Sequence, residues 1–183
     1  HLQEARVEQQ CLEGAAGLVM NVKTGEILAM ASLPNYNPNT YYTITDEMVL
    51  ASLEGLTGED LEKQTDSYRN KIWRNKCIVD TYMPGSTFKI VTISMALEEG
   101  LVSLSDTFDC PGYITVADRR IRCWKSGGHG HQTLAQAIQN SCNPAFINIG
   151  ARVGTDLFYK YFKNFGLTEK TGIDLNGEAS GIW

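Results

Sequence analysis

The sequence predicts a mixed α/β (α+β) fold, and three patterns in its 183 residues support this prediction. Two apolar runs near the start flank a short glycine-containing turn, which is typical of an antiparallel β-hairpin. An almost continuous apolar stretch follows Ser86, as in a helix of a protein core. Several segments of the C-terminal half begin with helix-capping residues. The predicted order is therefore a helix, a hairpin, loops and then several helices.

The N-terminal segment is predicted to contain one helix and the hairpin. Apolar residues spaced as on one helix face predict a short helix between residues 2 and 12, which Gly14 ends. Residues 15–32, AAGLVMNVKTGEILAMAS, predict the hairpin. Residues 33–42, rich in asparagine and proline, predict a loop. Residues 53–73 are polar with weak helical periodicity, and we interpret them as a surface excursion.

A central helix is predicted between Ser86 and Gly100, since its residues are apolar on nearly every side. Residues 108–124 then predict a small hairpin, with a cysteine near each open end. Residues 126–132, SGGHGHQ, predict a flexible glycine loop.

Three further helices are predicted from their first residues. Thr133 and Gln136 have the spacing of a capping box. Asn143, which Pro144 follows, is interpreted as the N-cap of a second helix. Thr155 is interpreted as the N-cap of a third helix, whose aromatic residues fall on one face.

Composition excludes some classes of function. With 43% hydrophobic and 20% charged residues, the composition is typical of a globular protein. The net charge of −5 does not indicate the basic surface that nucleic-acid binding requires. No apolar run approaches the roughly 18–20 residues that a membrane span needs. The start, HLQEARVEQQ, is too polar for a secretory signal. Because the chain begins without methionine and its end has no tail character, we expect a segment of a longer protein.

Ser86 and Lys89 have the arrangement of a nucleophile and its base. Residues three apart on a helix are neighbours, so the Lys89 amine can reach the Ser86 hydroxyl. Serine becomes nucleophilic when a neighbour takes its proton, and a desolvated lysine is neutral often enough to do so. The free amides of a helix N-terminus favour an oxyanion. The alternative is that Ser86 only caps a buried helix. The turn forced by Pro84 and Gly85 and the apolar helix beyond it favour the chemical interpretation.

A second pair, Ser141 and Asn143, alternates around Cys142 between two predicted helices. In an extended segment alternate side chains share a side, so the hydroxyl and the amide would point together. The alternative is that both residues only cap the following helix.

These motifs resemble those of the penicillin-recognising serine acyl-transferases. PGSTFK at residues 84–89 has the form typical of penicillin-binding proteins, and SCN at 141–143 resembles their second motif. The stretch 23–39, KTGEILAMASLPNYNPN, is similar to the opening hairpin of the class B transpeptidase domain. Residues 129–146 and 170–181 also resemble segments around that site. The resemblance covers nearly the whole chain and is to class B enzymes of the sporulation and division type.

The resemblance implies that residues 1–183 are the N-terminal part of a transpeptidase domain, with the penicillin-binding protein and serine β-lactamase-like fold. This part would comprise the first strands of an antiparallel sheet and the helical subdomain with both motifs. The third family motif, Lys-Thr-Gly on a strand, would be absent. Lys23–Gly25 lies in a predicted hairpin turn and Lys170–Gly172 in a predicted loop. We therefore expect this segment alone to be inactive, and another segment or chain to complete the domain.

The family's roles carry over to four residues. Ser86 would be acylated by the D-Ala-D-Ala end of a peptidoglycan stem peptide, and an amino group of a second stem would resolve the ester. Lys89 would activate Ser86, Ser141 would relay a proton to the leaving amine, and Asn143 would bind a substrate amide. β-Lactam antibiotics would trap the acyl-enzyme. No cofactor is required for this chemistry.

A cluster of thiols and imidazoles suggests a structural metal. Cys110, Cys123, His129 and His131 provide the ligand types of tetrahedral zinc, although their spacing is not that of a standard finger. Cys142 is an alternative ligand. A Cys110–Cys123 disulfide and free thiols are the other interpretations. For the remaining cysteines, Cys11 and Cys77, the default is a buried free thiol.

Other functions fit the same fold. A β-lactamase or a D,D-carboxypeptidase would hydrolyse the acyl-enzyme, and a β-lactam sensor domain would keep it. In each case the resemblance implies that the protein acts on the extracytoplasmic face of the membrane and that a membrane anchor lies outside residues 1–183. The sequence does not distinguish division, elongation and sporulation.

Overall fold

Residues 1–182 are described by the computed structural model, and their mixture of helices and strands confirms the predicted fold class. The chain divides into two compact units. Unit 1 comprises residues 1–81 and 172–179, and unit 2 comprises residues 82–171 and 180–182. No helix within residues 1–182 is long and apolar enough to cross a membrane.

Unit 1 is built on the predicted hairpin. Its elements are α1 (Leu2–Glu8), β1 (Ala15–Met20), β2 (Ile27–Leu33), α2 (Glu47–Leu53), α3 (Gly58–Ile72) and α4 (Lys76–Val79). Strands β1 and β2 are antiparallel, with Ala15 opposite Leu33 and a register shift between Val19 and Met20. Gly25 takes a φ of +78° in the turn, a conformation that glycine adopts without strain. The hairpin prediction is therefore confirmed.

The predicted surface excursion is exposed, as expected, but most of it is helical. Residues 53–73 contain the fifteen-residue helix α3, in which only Ile72 is buried. A helix without an apolar stripe gives almost no periodic signal. Its charges support it instead, because Glu59 and Asp60 lie in its first turn and Arg69 and Lys71 in its last.

A buried ion pair joins α1 to α2. The Arg6 side chain is 1% exposed, and its Nη1 and Nη2 atoms lie 2.5 and 3.0 Å from the two Asp46 oxygens. Asp46 also accepts the Val49 amide at 3.1 Å and so caps α2. Burial raises the pKa of Asp46, but the hydrogen bonds from Arg6 and Val49 outweigh it and leave the pKa below its ordinary value.

Unit 2 carries the motif residues. After a 3-10 turn at Gly85–Phe88 come α5 (Lys89–Glu98), β3 (Thr107–Cys110), β4 (Tyr113–Val116), β5 (Arg119–Arg122), β6 (Gly130–Thr133), α6 (Leu134–Gln139), α7 (Asn143–Val153) and α8 (Thr155–Asn164). Strand β3 pairs with β6, and β4 pairs with β5, both antiparallel. The small hairpin is thus confirmed, whereas the second half of the predicted glycine loop is strand β6.

The core of unit 2 gathers residues of α5, α6 and α7. Met95, Ala96, Leu134, Ala145 and Ile149 are fully buried within it. Helix α5 is less enclosed than predicted, because Ile90 is 67% exposed and only three of its residues are buried. Helix α5 is thus central, as predicted, since Met95 and Ala96 are buried in the core, but the side that carries Ile90 is exposed.

The capping predictions had mixed outcomes. Thr133 and Gln136 form the predicted capping box at the start of α6. Thr155 does not cap α8, since the N-cap is Gly154, whose φ is +74°, and Thr155 is already helical. Glycine adopts this positive φ without strain, whereas a threonine at the N-cap position would be strained.

Candidate active site

Ser86 lies in a 3-10 turn and not in the α-helix that the sequence predicted. Gly85, with a φ of +57°, directs the chain into this turn, and the α-helix begins at Lys89. Residues three apart eclipse one another in a 3-10 helix, so Ser86 and Lys89 share a face. Phe88 anchors the turn, because its ring lies 5.8 Å from the rings of both Phe158 and Phe162. Ser86 itself is exposed, as an attacking hydroxyl must be.

The Lys89 amine brings the two motifs together. Its Nζ donates to the Ser141 carbonyl oxygen at 2.7 Å, to Ser141 Oγ at 2.9 Å and to Asn143 Oδ1 at 2.7 Å. These bonds use all three protons of the ammonium group. Within residues 1–182 no hydrogen bond joins Lys89 to Ser86, so the direct contact between them stays a prediction.

The Ser141–Asn143 segment has an unusual backbone. Ser141 takes a φ of +46°, in a region where a non-glycine residue is strained, and strain of this kind concentrates at functional sites. The N-cap of α7 is Cys142 and not Asn143, and no side chain caps it. The alternative that Ser141 and Asn143 serve only as caps therefore does not hold. Both side chains bind Lys89 instead.

Lys89 is chemically distinct from a surface lysine. Burial lowers its pKa below the ordinary 10.5, although the charges of Cys142 and Cys123 act in the opposite direction. The Phe146 ring lies 5.2 Å from Nζ and forms the apolar wall beside it. A larger fraction of this amine is thus free base at neutral pH than in an exposed lysine.

Four potential metal ligands converge behind the Ser141–Asn143 segment. One ligand atom from each of Cys110, Cys123, His129 and Cys142 lies within 4.8 Å of all the others. The three cysteines are buried, and His129 Nδ1 lies 3.5 Å from Cys123 Sγ, while the buried His129 Nε2 atom has no hydrogen-bond partner among residues 1–182. The alternative ligand Cys142 is therefore part of the cluster.

His131 does not belong to the cluster. Its ring nitrogen contacts Asp109 at 2.9 Å, and its side chain is 66% exposed. Neighbouring residues of a strand face opposite sides, so His131 and its pairing partner Asp109 share the solvent face while Cys110 points inward. The prediction of His131 as a ligand is corrected by this register.

Local structure explains the convergence. Cys110 precedes the β4–β5 hairpin and Cys123 follows it, and the Cys123 amide donates to the Gly112 carbonyl at 2.8 Å. Gly128 has a φ of +74°, and a Cβ there would collide with the Cys110 carbonyl oxygen. Only glycine allows this approach, which brings His129 to the thiols.

All five cysteines are free thiols, so the Cys110–Cys123 disulfide is not formed. Burial disfavours the Cys110 thiolate, but hydrogen bonds from His129, Gly112 and Cys142 outweigh it and lower its pKa to about 6. Burial raises the pKa of Cys142 to about 11, and the charge on Cys110 adds to this effect. Outside the cluster, Cys77 is half-buried, whereas Cys11 is exposed, which corrects the prediction of a buried thiol there.

Three contacts connect neighbours of the cluster residues to Asn140 and Asn143. Trp124 Nε1 donates to the Asn140 carbonyl at 2.8 Å, and Asn140 Nδ2 donates to Gln132 Oε1 at 3.1 Å. Asn143 Nδ2 approaches the Arg122 carbonyl at 3.5 Å. Sequence reasoning missed Trp124 and Gln132 as supports. Trp124 could have been found from the sequence, because it directly follows Cys123, a potential metal ligand, whereas no sequence feature pointed to Gln132.

Neither Lys-Thr-Gly triplet lies on a strand, as the sequence predicted. Lys23–Gly25 is in the turn between β1 and β2, and Lys170–Gly172 is in irregular structure after α8. Residues 1–182 therefore contain the Ser-x-x-Lys and Ser-x-Asn motifs without a strand-borne third motif.

Residues 15–183 match the family model described as "Penicillin binding protein transpeptidase domain". The chain is similar to Stage V sporulation protein D of Bacillus subtilis, with 42% identity over 93% of this chain and 23% of that protein. It is also similar to Peptidoglycan D,D-transpeptidase MrdA of Acinetobacter baumannii, with 30% identity over 97% of this chain and 25% of that protein. The chain thus spans about a quarter of these relatives.

Solved structures agree with the sequence comparisons. The penicillin-binding protein PBP2 of Helicobacter pylori, solved in complex with MreC, superposes with a TM-score of 0.74 and 30% identity over 98% of this chain and 32% of that chain. The D,D-transpeptidase domain from Eggerthella lenta superposes with a TM-score of 0.76 and 27% identity over all of this chain and 39% of that chain. The chain thus has part of a transpeptidase fold.

Proposed function

Because the chain belongs to the penicillin-binding protein transpeptidase family, we propose that it is the part of a peptidoglycan D,D-transpeptidase that carries the acylated serine, Ser86. One observation carries this proposal. The Lys89 amine, one 3-10 turn from Ser86, is held between Ser141 and Asn143, so the two motifs form a single polar site.

In the proposed reaction the Ser86 oxygen bonds to the carbonyl carbon of the penultimate D-alanine of a stem peptide. Its proton passes to the Lys89 amine, which is a base only when one of its three protons has been lost. The bond to the terminal D-alanine breaks, and Ser141 relays a proton to the departing nitrogen. The nitrogen of an amino group of a second stem then bonds to the ester carbonyl carbon, the bond from that carbon to the Ser86 oxygen breaks, and a proton of the attacking amine passes to Ser86.

The remaining groups would stabilise charge and hold the substrate. The Ser86 backbone amide, at the start of the turn, would donate a hydrogen bond to the oxyanion. Asn143 would bind a substrate amide through its side chain. Residues 1–183 would be the first hairpin and the helical subdomain of the domain, and a strand elsewhere in the protein would supply the third motif. Residues 1–183 alone would not catalyse the transpeptidation reaction.

We propose an extracytoplasmic, membrane-anchored location for the whole protein, since peptidoglycan cross-linking takes place there. The substrates would be stem peptides, and β-lactams would be inhibitors. The anchor would lie outside residues 1–183.

The test is covalent labelling of the full-length protein with a fluorescent penicillin. We expect one label per chain, retained for hours, and release of D-alanine from stem pentapeptides with formation of a cross-linked product. Label lost within minutes would indicate a β-lactamase. Stable label without D-alanine release would indicate a sensor, and release without cross-links a carboxypeptidase. Each of these results would contradict the proposal.

We further propose that Cys110, Cys123, His129 and Cys142 hold a structural zinc ion. Three thiol sulfurs and one imidazole nitrogen are a standard set for a closed tetrahedral zinc site. The His129 Nδ1 atom lies 3.5 Å from Cys123 Sγ, so an imidazole nitrogen already faces the thiols. Bound zinc would supply no reaction step. It would fix the segment that carries Ser141 and Asn143.

Elemental analysis of the full-length protein, purified without chelator, checks this proposal. We expect one zinc per chain in the wild type and almost none in Cys123→Ser, with a melting temperature lower by on the order of 5 °C or more. Cys77→Ser is the matched control and should retain the metal. A wild type without zinc would contradict the proposal.

A further inference from the structure

One face of the β4–β5 hairpin is cationic in a chain whose net charge is negative. Residues 113–125, YITVADRRIRCWK, contain four basic residues and one acidic residue, whereas the whole chain carries a net charge of −5. In the antiparallel register, Tyr113 lies opposite Arg122 and Thr115 opposite Arg120. These four side chains therefore share one face, and the other residues of both strands share the opposite face.

Arg120 and Arg122 lack a countercharge. Both are exposed, and within residues 1–182 neither forms an ion pair with a carboxylate. The nearby acidic groups do not form ion pairs with them. In the described part of the chain, Asp118 in the hairpin turn forms no ion pair, and Asp109 contacts His131. Two exposed guanidinium groups on one strand face repel each other, and an anionic ligand would relieve this repulsion.

One of the two guanidinium groups is held in place. The Arg120 Cζ atom lies 3.7 Å from the centre of the Tyr113 ring, so the planar group stacks on the aromatic face. Stacking leaves the N–H groups at the edge of the guanidinium plane free to donate. A pre-oriented guanidinium fork matches a carboxylate bidentately.

The hairpin also borders the candidate active site. The Arg122 carbonyl faces Asn143 Nδ2 at 3.5 Å, and the next two residues are the ligand Cys123 and Trp124, which binds the Asn140 carbonyl. The strand that carries both arginines therefore ends against the Ser141–Asn143 segment. Asn143 in turn accepts a hydrogen bond from Lys89 at 2.7 Å, which links the hairpin to the candidate active site.

We infer that Arg120 and Arg122 form a carboxylate-binding subsite for the stem peptide. The inference rests on the proposed function, because a stem peptide with an isoglutamate residue presents an anionic carboxylate a few residues from D-Ala-D-Ala. The subsite recognises that carboxylate and discriminates against stems in which it is amidated.

Binding to two matched pentapeptides tests the subsite independently of turnover. The full-length protein is titrated calorimetrically with a stem pentapeptide that contains isoglutamate and with its isoglutamine analogue. In Arg120→Gln/Arg122→Gln we expect the Kd for the acidic peptide to rise about tenfold at low ionic strength. The Kd for the amidated peptide should change less than about twofold. At 1 M salt, where the screening length is about 3 Å, the difference between the peptides should disappear.

Two control variants separate charge from structure. Lys163→Gln/Lys170→Gln removes two other exposed charges of the same unit and should leave both Kd values within about twofold. Arg120→Lys/Arg122→Lys keeps the charge and should recover part of the preference. An equal loss for both peptides, or no loss, would overturn the inference.

The remaining outcomes distinguish other ligands and the proposed function. If the double glutamine variant binds both peptides normally but loses binding to phosphatidylglycerol vesicles, the face is a membrane contact and the subsite is refuted. If the wild type shows the carboxylate preference yet takes no penicillin label, the subsite stands and the proposed transpeptidase function fails.

Discussion

Replacement of Ser86 by alanine is expected to abolish covalent penicillin labelling of the full-length protein. The rate of acylation should fall by on the order of 10³-fold or more, because no other oxygen occupies the position one 3-10 turn before Lys89. The methyl group leaves the turn intact, since Ser86 is exposed and its side chain makes no hydrogen bond within residues 1–182. Intact-mass measurement after incubation with penicillin reads the result directly.

Ser94→Ala is the matched control for this prediction. Ser94 is on α5, and its hydroxyl donates to the Ile90 carbonyl within the same helix, so its loss should leave labelling unchanged. A Ser86→Ala protein that still gains the mass of one penicillin would remove the nucleophile assignment. The mass of the labelled peptide would then identify the residue that replaces it.

Local signals were sufficient to predict the chemical motif and several elements. The turn before Ser86, the Ser86–Lys89 spacing, the first hairpin and the capping box of Thr133 each depend on residues a few positions apart. The contacts of Lys89 could not be predicted in this way. Its acceptors Ser141 and Asn143 are more than fifty residues away, and only the packing of α5 against α7 brings them within 3 Å.

The wrong predictions have equally specific causes. Helix α3 was missed because charges and not an apolar stripe support it. His131 was chosen as a ligand from its proximity in sequence, whereas strand alternation turns it to solvent. Asn143 was interpreted as a cap because it precedes Pro144, but its side chain is used by Lys89 and Cys142 takes the N-cap position. The errors at His131 and Asn143 fall where strand pairing or a tertiary contact decides which way a side chain points.

Replacement of Lys89 by methionine is expected to lower the acylation rate by about 10²- to 10⁴-fold, the range of a lost general base. The pH profile of the wild type provides the second readout. Only the free amine accepts the Ser86 proton, so the rate should rise as the pH increases through the Lys89 pKa and then level off. Because burial lowers this pKa below 10.5, the plateau should begin at a lower pH than for an ordinary lysine. Stopped-flow acylation with a fluorescent penicillin measures both quantities.

The Lys89→Arg variant distinguishes a general base from a positively charged group that only holds Ser141 and Asn143 in place. Arginine can donate to Ser141 and Asn143, as the ammonium group does, but it stays protonated at every accessible pH. If Lys89 acts as the base, the arginine variant should acylate as slowly as the methionine variant, and the rise of its rate with pH should be lost. If the group only orients Ser141 and Asn143, arginine should restore most of the rate while methionine does not. A restored rate with an unchanged pH profile would therefore move the base elsewhere and leave Lys89 a positioning residue.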